Sequence, residues 1–445
     1  MTAPVLLREF EDFAANGGGS GPSWLLPLRR AAIDRFAALG FPTPKNEDWH
    51  FTSVAPIADG TFRALPGGPA RSVRLGAADV EPFTFARPDW IRLVFVNGRY
   101  DAALSSGAAR PTGVTITDLA RAWREQPEVL ERHVGKVADY QRTAFTALNT
   151  AFMRDGALIQ LAPNVELETP IHLVFVSTPE AAGSASHVRT LIVAGHHARA
   201  TVIESYVSLG GANGYFTNAV TEAVLAEGAT LAHLKLQTES ERAFHVGTLQ
   251  AHQARDSHLV SFSYAAGGEL ARTNIYTLLA GEGSGATLHG LYLLDGAQHV
   301  DQQTRIEHAS PNTFSREVYK GILDGSSHGV FNGQVFVRPE AQKTDGKQEN
   351  NNLLLSAQAR IDTKPQLEIF ADDVKCTHGA TVGRLDEMAL FYMKSRGIGA
   401  EQARKLLTYA FAAGVIAAVG VPEVRAELEA LTLRRFAGAG AAAAS

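Results

Sequence analysis

The sequence predicts a mainly β protein with a parallel β-helix, or solenoid, at its centre and α-helical domains at both ends. Between residues 156 and 383 the apolar residues recur with the period of 2 that is typical of strands, whereas the flanking regions have the helical period. Within this stretch, predicted strands begin at Ala200, Thr230, His258 and Thr287, which lie 28 to 30 residues apart. A repeating unit of strands and turns without a helix indicates a solenoid with about two strands per coil. On the pattern alone, a large sandwich or barrel is the alternative.

The N-terminal domain, residues 1–155, is predicted to be largely helical. Apolar residues at helical spacing predict helices at residues 5–15, 24–39, 118–125 and 140–153. A β-hairpin is expected at residues 93–100, because two apolar runs flank Asn97-Gly98, a dipeptide that suits a tight two-residue turn.

The core domain, residues 156–384, contains the strands of the predicted β-helix. Turns of small residues, such as residues 227–229 and 283–286, precede several of them and favour short connections. No helical pattern separates the strands, which argues against folds built from βαβ units. The strands are predicted at residues 171–177, 188–194, 200–207, 219–226, 230–237, 258–264, 287–294, 299–307, 330–337 and 360–369.

The C-terminal domain, residues 385–445, returns to the helical period. Helices are predicted at residues 386–395, 401–419 and 422–436, and the low-complexity tail at residues 438–445 is expected to fray. The second of these helices has an almost unbroken apolar face, which needs a cover. On the pattern alone, its own solenoid and another protein are equally good covers.

Composition and motifs narrow the function classes. The chain has 41 Lys and Arg against 46 Asp and Glu, so it lacks the excess of basic residues that is typical of nucleic-acid-binding proteins. With one cysteine, no visible secretion signal and no apolar run of about 20 residues to span a membrane, we expect a cytoplasmic protein. Phosphate-binding loops, dinucleotide motifs, nucleophile elbows and paired-cysteine zinc patterns do not appear, so we expect no catalytic residues.

The only cysteine, Cys376, precedes His378 by two positions. In a strand their side chains would share one face, where a thiol and an imidazole make half of a metal site. A metal-binding role would then require further ligands from another surface. The alternative is that Cys376 is a small core residue, and Val374 on the same face supports that interpretation.

The order of several motifs resembles the SufB/SufD family of iron–sulfur cluster assembly proteins. The motifs are residues 46–52 (NEDWHFT), 305–308 (RIEH), 311–313 (PNT), 329–333 (GVFNG), 342–345 (QKTD), 352–356 (NLLLS), 362–365 (DTKP), 376–381 (CTHGAT) and 390–398 (LFYMKSRGI). Together they are specific, and they extend over about a quarter of the chain.

The resemblance implies a scaffold subunit and not an enzyme. Family members have a β-helix core between helical domains; SufB and SufD pair through their β-helices, and each C-terminal domain docks one copy of the ATPase SufC. By this resemblance the surface that binds SufC would include Phe391, Arg396, Ile398, Leu406 and Phe411. Whether a homodimer forms without SufB is left open.

The resemblance also implies a nascent iron–sulfur cluster, held transiently at the SufB–SufD interface. His378, in the family's K-C-x-H-G-A-T motif, would contribute from this side, with Cys376 as the second candidate metal ligand and a cysteine of SufB on the other side. An imidazole in place of a thiolate alters the charge and potential of a cluster. Reduced flavin in the complex is left open as a cofactor.

Two features favour the SufD branch over a SufB-like paralogue. Gly379 stands where SufB-like chains carry glutamate, and the chain has no second cysteine to receive sulfur. One departure is Gln302-Gln303, which occupies the place of a histidine in the family's H-x-D-x-H-T pattern. A β-helix carbohydrate-active enzyme is the alternative from another class, and it would need clustered acidic calcium ligands beside a basic groove.

Overall fold

The structure is a computed structural model that describes residues 3–60, 62–64, 75–107, 111–211 and 214–435. It confirms the predicted fold class, a mainly β protein with a solenoid of about eight turns and helices at both ends. The C-terminal tail at residues 438–445, which was expected to fray, lies outside the described residues.

The N-terminal region combines short helices with strands that extend the solenoid. Its helices are α1 Ala3–Phe13, α2 Leu25–Leu39, α3 Ala55–Asp59, α4 Ala77–Val80, α5 Leu119–Glu125, α6 Pro127–His133 and α7 Ala144–Phe152. Its strands are β1 Arg63–Ala64, β2 Ile91–Val96, β3 Arg99–Ser106 and β4 Val114–Asp118. The expected hairpin is present, because β2 and β3 pair antiparallel around Asn97 and Gly98, which both have positive φ.

The solenoid consists of the strands β5 to β20. They are β5 Gly156–Leu161, β6 Ile171–Ser177, β7 Ser184–Ala194, β8 Arg199–Ser208, β9 Phe216–Leu225, β10 Thr230–Thr238, β11 Phe244–Gln253, β12 His258–Ala265, β13 Leu270–Leu279, β14 Gly285–Leu294, β15 His299–His308, β16 Phe314–Leu323, β17 His328–Val337, β18 Asp345–Leu354, β19 Arg360–Ile369 and β20 Lys375–Gly383. Even-numbered strands form one parallel sheet and odd-numbered strands the other, so each coil contributes two strands, as predicted.

Three further pairings join the sheets to the N-terminal region. Strand β2 pairs with β6 in the even-numbered sheet. In the odd-numbered sheet, β4 pairs antiparallel with β5 and β1 pairs parallel with β7. The solenoid sheets therefore continue into residues before 156.

Side chains alternate between the lumen of the solenoid and its outer faces. In the even-numbered sheet, Ala200, Leu231, Leu259 and Ala286 are register partners on successive strands and belong to one buried cluster. Such stacking explains the repeat, since each coil covers the apolar face of the next. Burying one leucine completely contributes about 1.5–3 kcal/mol to the free energy of unfolding.

Polar residues in the lumen concealed several strands from the sequence pattern. Strands β5, β11, β13, β16 and β18 were not predicted, and all but β5 carry polar residues in the lumen. In β18 the buried residues are Gln348, Asn350 and Asn352, so the alternation of apolar and polar residues is lost. Asn350 and Asn352 hydrogen-bond to each other at 2.6 Å and both bond to the hydroxyl of Tyr292.

Three helices follow the solenoid: α8 Glu387–Ser395, α9 Ala400–Ile416 and α10 Pro422–Arg435. Ala412, Val415 and Ile416 of α9 lie in one buried cluster with Leu293 and Ile322 of the even-numbered sheet. The solenoid therefore covers one side of α9, which leaves the rest of α8 and α9 for other contacts. In the described part of the chain, no helix is both long enough and apolar enough to cross a membrane.

Candidate functional site

The last strand of the solenoid, β20, carries both predicted metal ligands. Among the described strands it pairs with β18 and ends its sheet, so its other edge is open. Cys376 pairs with Gly346, and His378 pairs with Gln348, which is buried in the lumen. Because partners in parallel strands project to the same side, Cys376 and His378 both lie over the lumen at its open end.

The thiol of Cys376 is half-buried and contacts apolar side chains. It packs against a small cluster that contains Val335, Val337 and Ala341, together with Val374. The interpretation of Cys376 as a packing residue therefore has support, and the thiol also reaches the open end of the lumen.

Gly346 provides the space around this thiol. A Cβ at Gly346 would lie 3.3 Å from Sγ of Cys376 and 3.4 Å from Oγ of Ser315, both tight contacts. Burial raises the pKa of the Cys376 thiol, the backbone N–H of Gly346 lowers it, and the carboxylate of Asp345 raises it again. The protonated thiol predominates at neutral pH, and a bound metal ion would have to displace its proton.

His378 is exposed to solvent beside the open edge of β20. Within the described ranges, no group of three or more His, Cys, Asp or Glu residues is arranged to hold a metal ion. Cys376 and His378 supply two ligands, whereas a tetrahedral metal site takes four. A metal held here would take its remaining ligands from another molecule.

A buried carboxyl lies beneath these two residues, and sequence reasoning missed it. Glu317 of β16 is buried in the lumen and accepts a hydrogen bond from Nε2 of Gln348 at 2.6 Å. Burial raises the pKa of Glu317 to about 7. The flanking residues Arg316 and Val318 give no signal, and only the strand register places Glu317 below Gln348 and His378.

Apolar side chains are exposed on the helices after the solenoid. Of the residues predicted to bind a partner, Phe391 is 67% exposed and Leu406 is also exposed. Met388, which is 73% exposed, and Tyr392 lie on the same helix as Phe391 and were not among the predicted contacts. Their spacing within α8 is visible in the sequence, but it is equally consistent with burial.

The other predicted contacts are less accessible or differently placed. Arg396 is exposed, and Ile398 and Phe411 are half-buried. The backbone carbonyl of Phe411 accepts a hydrogen bond from Nζ of Lys320 at 2.8 Å, and this ammonium lies 4.7 Å from the centroid of the Phe411 ring. Phe411 thus contacts the solenoid, while Phe391 and Leu406 face solvent.

The motif at residues 46–52 packs on the outer face of the odd-numbered sheet. The guanidinium of Arg272 lies 3.6 Å from the ring centroid of Trp49 and pairs with Asp301 at 2.6 Å. Thr52 donates to the same carboxylate at 2.6 Å, and the side chain of Gln303 donates to its other oxygen at 2.6 Å. Gln303, where the family pattern has histidine, is therefore part of a buried hydrogen-bond network that fixes the N-terminal motif.

Two family models match the chain. The SufBD core domain of the SUF iron–sulfur cluster assembly system matches residues 175–411, and the SufBD N-terminal region matches residues 20–173. The chain belongs to the SufBD family. The match to the SufBD core domain includes Cys376, His378 and the α8–α9 surface, so the open end described above lies within the family's own domain.

Individual SufBD relatives align over most of their length. An iron–sulfur cluster assembly SufBD family protein of Synechocystis sp. is 32% identical over 92% of this chain and 91% of its own. The iron–sulfur cluster assembly protein SufD of Escherichia coli is 34% identical over 87% of each chain. The SufD protein of Bacillus subtilis is 28% identical over 93% of this chain and 94% of its own.

Proposed function

We propose that this SufBD protein is a non-catalytic scaffold subunit for iron–sulfur cluster assembly in the cytoplasm. It pairs with a SufB paralogue through the open end of the solenoid, and a nascent cluster forms transiently between the two subunits. The ATPase SufC docks on the C-terminal helices and supplies ATP hydrolysis. The similarity to SufD proteins over most of the chain favours this role over that of a SufB-like paralogue or a β-helix carbohydrate-active enzyme.

The observation that carries the proposal is the exposed His378 on the open edge of the last strand. An edge strand presents backbone N–H and C=O groups with which another strand can pair. A partner that pairs along β20 would bring its own side chains to the imidazole of His378. Cys376, on the same face, would add a second ligand once a metal ion displaces the thiol proton.

The surface of α8 and α9 supports the docking of a second partner. Large apolar side chains that remain exposed next to one another mark interaction sites in most proteins. Phe391 and Met388 are more than half exposed, while α9 already packs its opposite side on the solenoid. An ATPase that binds here would bury these rings without disturbing the core.

Co-expression tests this function. The chain is produced together with SufB-like and SufC-like proteins of the same host, and the purified material is weighed by native mass spectrometry. We expect one copy of this chain, one SufB-like subunit and two SufC-like subunits. A chain that purifies alone, with both other proteins folded and present, would contradict the scaffold role.

A further inference from the structure

The lumen beneath the open end contains a carboxyl group without a cationic partner. Glu317 is buried, and its Oε2 accepts the hydrogen bond from Gln348. Its Oε1 has no hydrogen-bond partner in the described structure, and no Lys, Arg or His of the described residues forms an ion pair with it. An unpaired carboxylate in a buried position is costly, so such a group holds its proton to a higher pH.

The strand register places this group in line with the candidate metal ligand. Glu317 pairs with Gln348, and Gln348 pairs with His378, so all three side chains project to the lumen side on successive strands. Neighbouring strands are about 4.8 Å apart, which puts the Cα atoms of Glu317 and His378 about 10 Å apart. The amide of Gln348 occupies the space that a side chain at Gly333 across the lumen would need, since a Cβ there would lie 2.2 Å from Nε2.

On the lumen side, the titratable groups near Glu317 among the described residues are His308, Tyr319 and Cys376. None of the three carries a positive charge at neutral pH. Burial lowers the pKa of His308 to about 4, and this ring bonds to Thr313 and to Ser315 on the strand of Glu317. Burial raises the pKa of Tyr319 and of Cys376, so both are neutral as well.

Two uncharged residues also line this position. Leu288 pairs with Glu317 from the preceding coil, and the hydroxyl of Thr304 across the lumen lies close enough to offset part of the rise in the pKa of Glu317 that burial causes. A cation held over the lumen at His378 would therefore be the charge that most affects Glu317.

We propose that Glu317 is a proton-exchanging acid that responds to the cation site at the open end of the lumen. It is protonated and neutral while that site is empty, and it releases its proton to the solvent when a divalent cation binds. The resulting carboxylate compensates the charge of the cation, and reprotonation would weaken the hold on the metal. This inference rests on the proposed function in one respect, namely that the cation is held at His378.

A cation bound at His378 should lower the pKa of Glu317 by an amount that depends on their separation and on the local dielectric constant. At about 10 Å and an effective dielectric constant of about 20, each unit of positive charge lowers the pKa of an acid by about 1 unit. A divalent cation should therefore move the titration midpoint of Glu317 down by about two pH units, from near neutrality to about pH 5.

Infrared difference spectroscopy detects the protonated carboxyl directly through its C=O stretch. The full chain without metal is titrated from pH 4 to pH 9, and Glu317→Gln identifies the band of Glu317. The exposed Glu368 of β19 lies at the same end of the solenoid, so Glu368→Gln is the matched control and should retain the band. We expect a midpoint near pH 7, and a band that titrates near pH 4.5 would overturn the proposal.

The second arm uses the complex with the SufB-like and SufC-like proteins and Co²⁺ as the probe. We expect bound Co²⁺ to lower the midpoint by about two pH units, whereas Co²⁺ that binds without a shift, or does not bind, overturns the proposal. His378→Ala separates the two claims. If Co²⁺ still binds and still shifts the band in that variant, Glu317 responds to the open end but His378 is not the ligand, which contradicts the proposed function alone.

Discussion

Arg189 and Glu222 form an ion pair that is fully excluded from solvent, with 2.5 Å between Nη2 and Oε1. They lie on neighbouring strands, β7 and β9, on the outer face of the odd-numbered sheet. The carboxylate of Glu222 also accepts hydrogen bonds from the backbone N–H groups of Val137 and Ala138 at 3.0 and 2.9 Å. This pair therefore ties the N-terminal region to the solenoid.

We expect Glu222→Gln to lower the free energy of unfolding by about 3–5 kcal/mol, because it leaves the guanidinium of Arg189 buried without its counter-charge. Urea unfolding followed by circular dichroism measures the change. Glu125→Gln is the matched control, since it breaks the exposed pair Arg121–Glu125 and should cost less than about 1 kcal/mol. Equal losses in the two variants would show that the buried pair has no special role.

The ring of Trp49 should stabilise the N-terminal motif through its contact with Arg272. We expect Trp49→Ala to lower the free energy of unfolding by about 2 kcal/mol or more, since a desolvated cation–π contact and apolar packing are both lost. Trp49→Phe keeps an aromatic face and should lose less than half as much. Thermal unfolding that is unaffected by Trp49→Ala would contradict this account of the motif.

Buried histidines should make the fold sensitive to acid. Burial, together with the charge of Arg92, lowers the pKa of His172 from 6.5 to about 3. Between these values the unfolded chain binds a proton that the folded chain does not, so stability falls as the pH is lowered through this window. We expect His172→Gln to flatten the dependence by up to about 1.4 kcal/mol per pH unit. Urea unfolding between pH 7 and pH 4 measures it, with the exposed His50→Gln as control, and equal slopes in all three proteins would refute the assignment.

The exposed ring of Phe391 should contribute to binding of the SufC-like ATPase. Truncating a central aromatic contact typically costs about 2 kcal/mol, so we expect Phe391→Ala to weaken binding by about thirtyfold. Leu433 is also exposed but lies on α10, away from α8, and Leu433→Ala is the control. Isothermal titration calorimetry compares the variants. A larger effect at Leu433 than at Phe391 would move the docking surface to α10.

The architecture could be predicted because apolar periodicity records which face of each coil is buried. The spacing of Thr230 and His258 in the sequence corresponds to their pairing in the structure. Most of the missed strands have polar lumen residues, and Gln348 and Asn350 illustrate why. Their burial depends on partners in other coils, which a single strand does not reveal.

The candidate site could be predicted only in part. Cys376 and His378 were found because their spacing places them on one face of a strand, and the structure places both over the lumen. Glu317 was missed because it lies some 60 residues earlier in the chain and reaches the site only through the register of two further strands. Exposed Met388 was missed because an apolar residue in a helix is equally consistent with burial.

The central claim is that His378 holds metal at an interface shared with the SufB-like partner. Its most direct test is the iron content of the purified complex after anaerobic reconstitution, compared between the wild-type chain and His378→Ala. We expect His378→Ala to form the complete complex with less than half of the wild-type iron, and the exposed His50→Ala to retain all of it. Unchanged iron in an intact His378→Ala complex would contradict the claim.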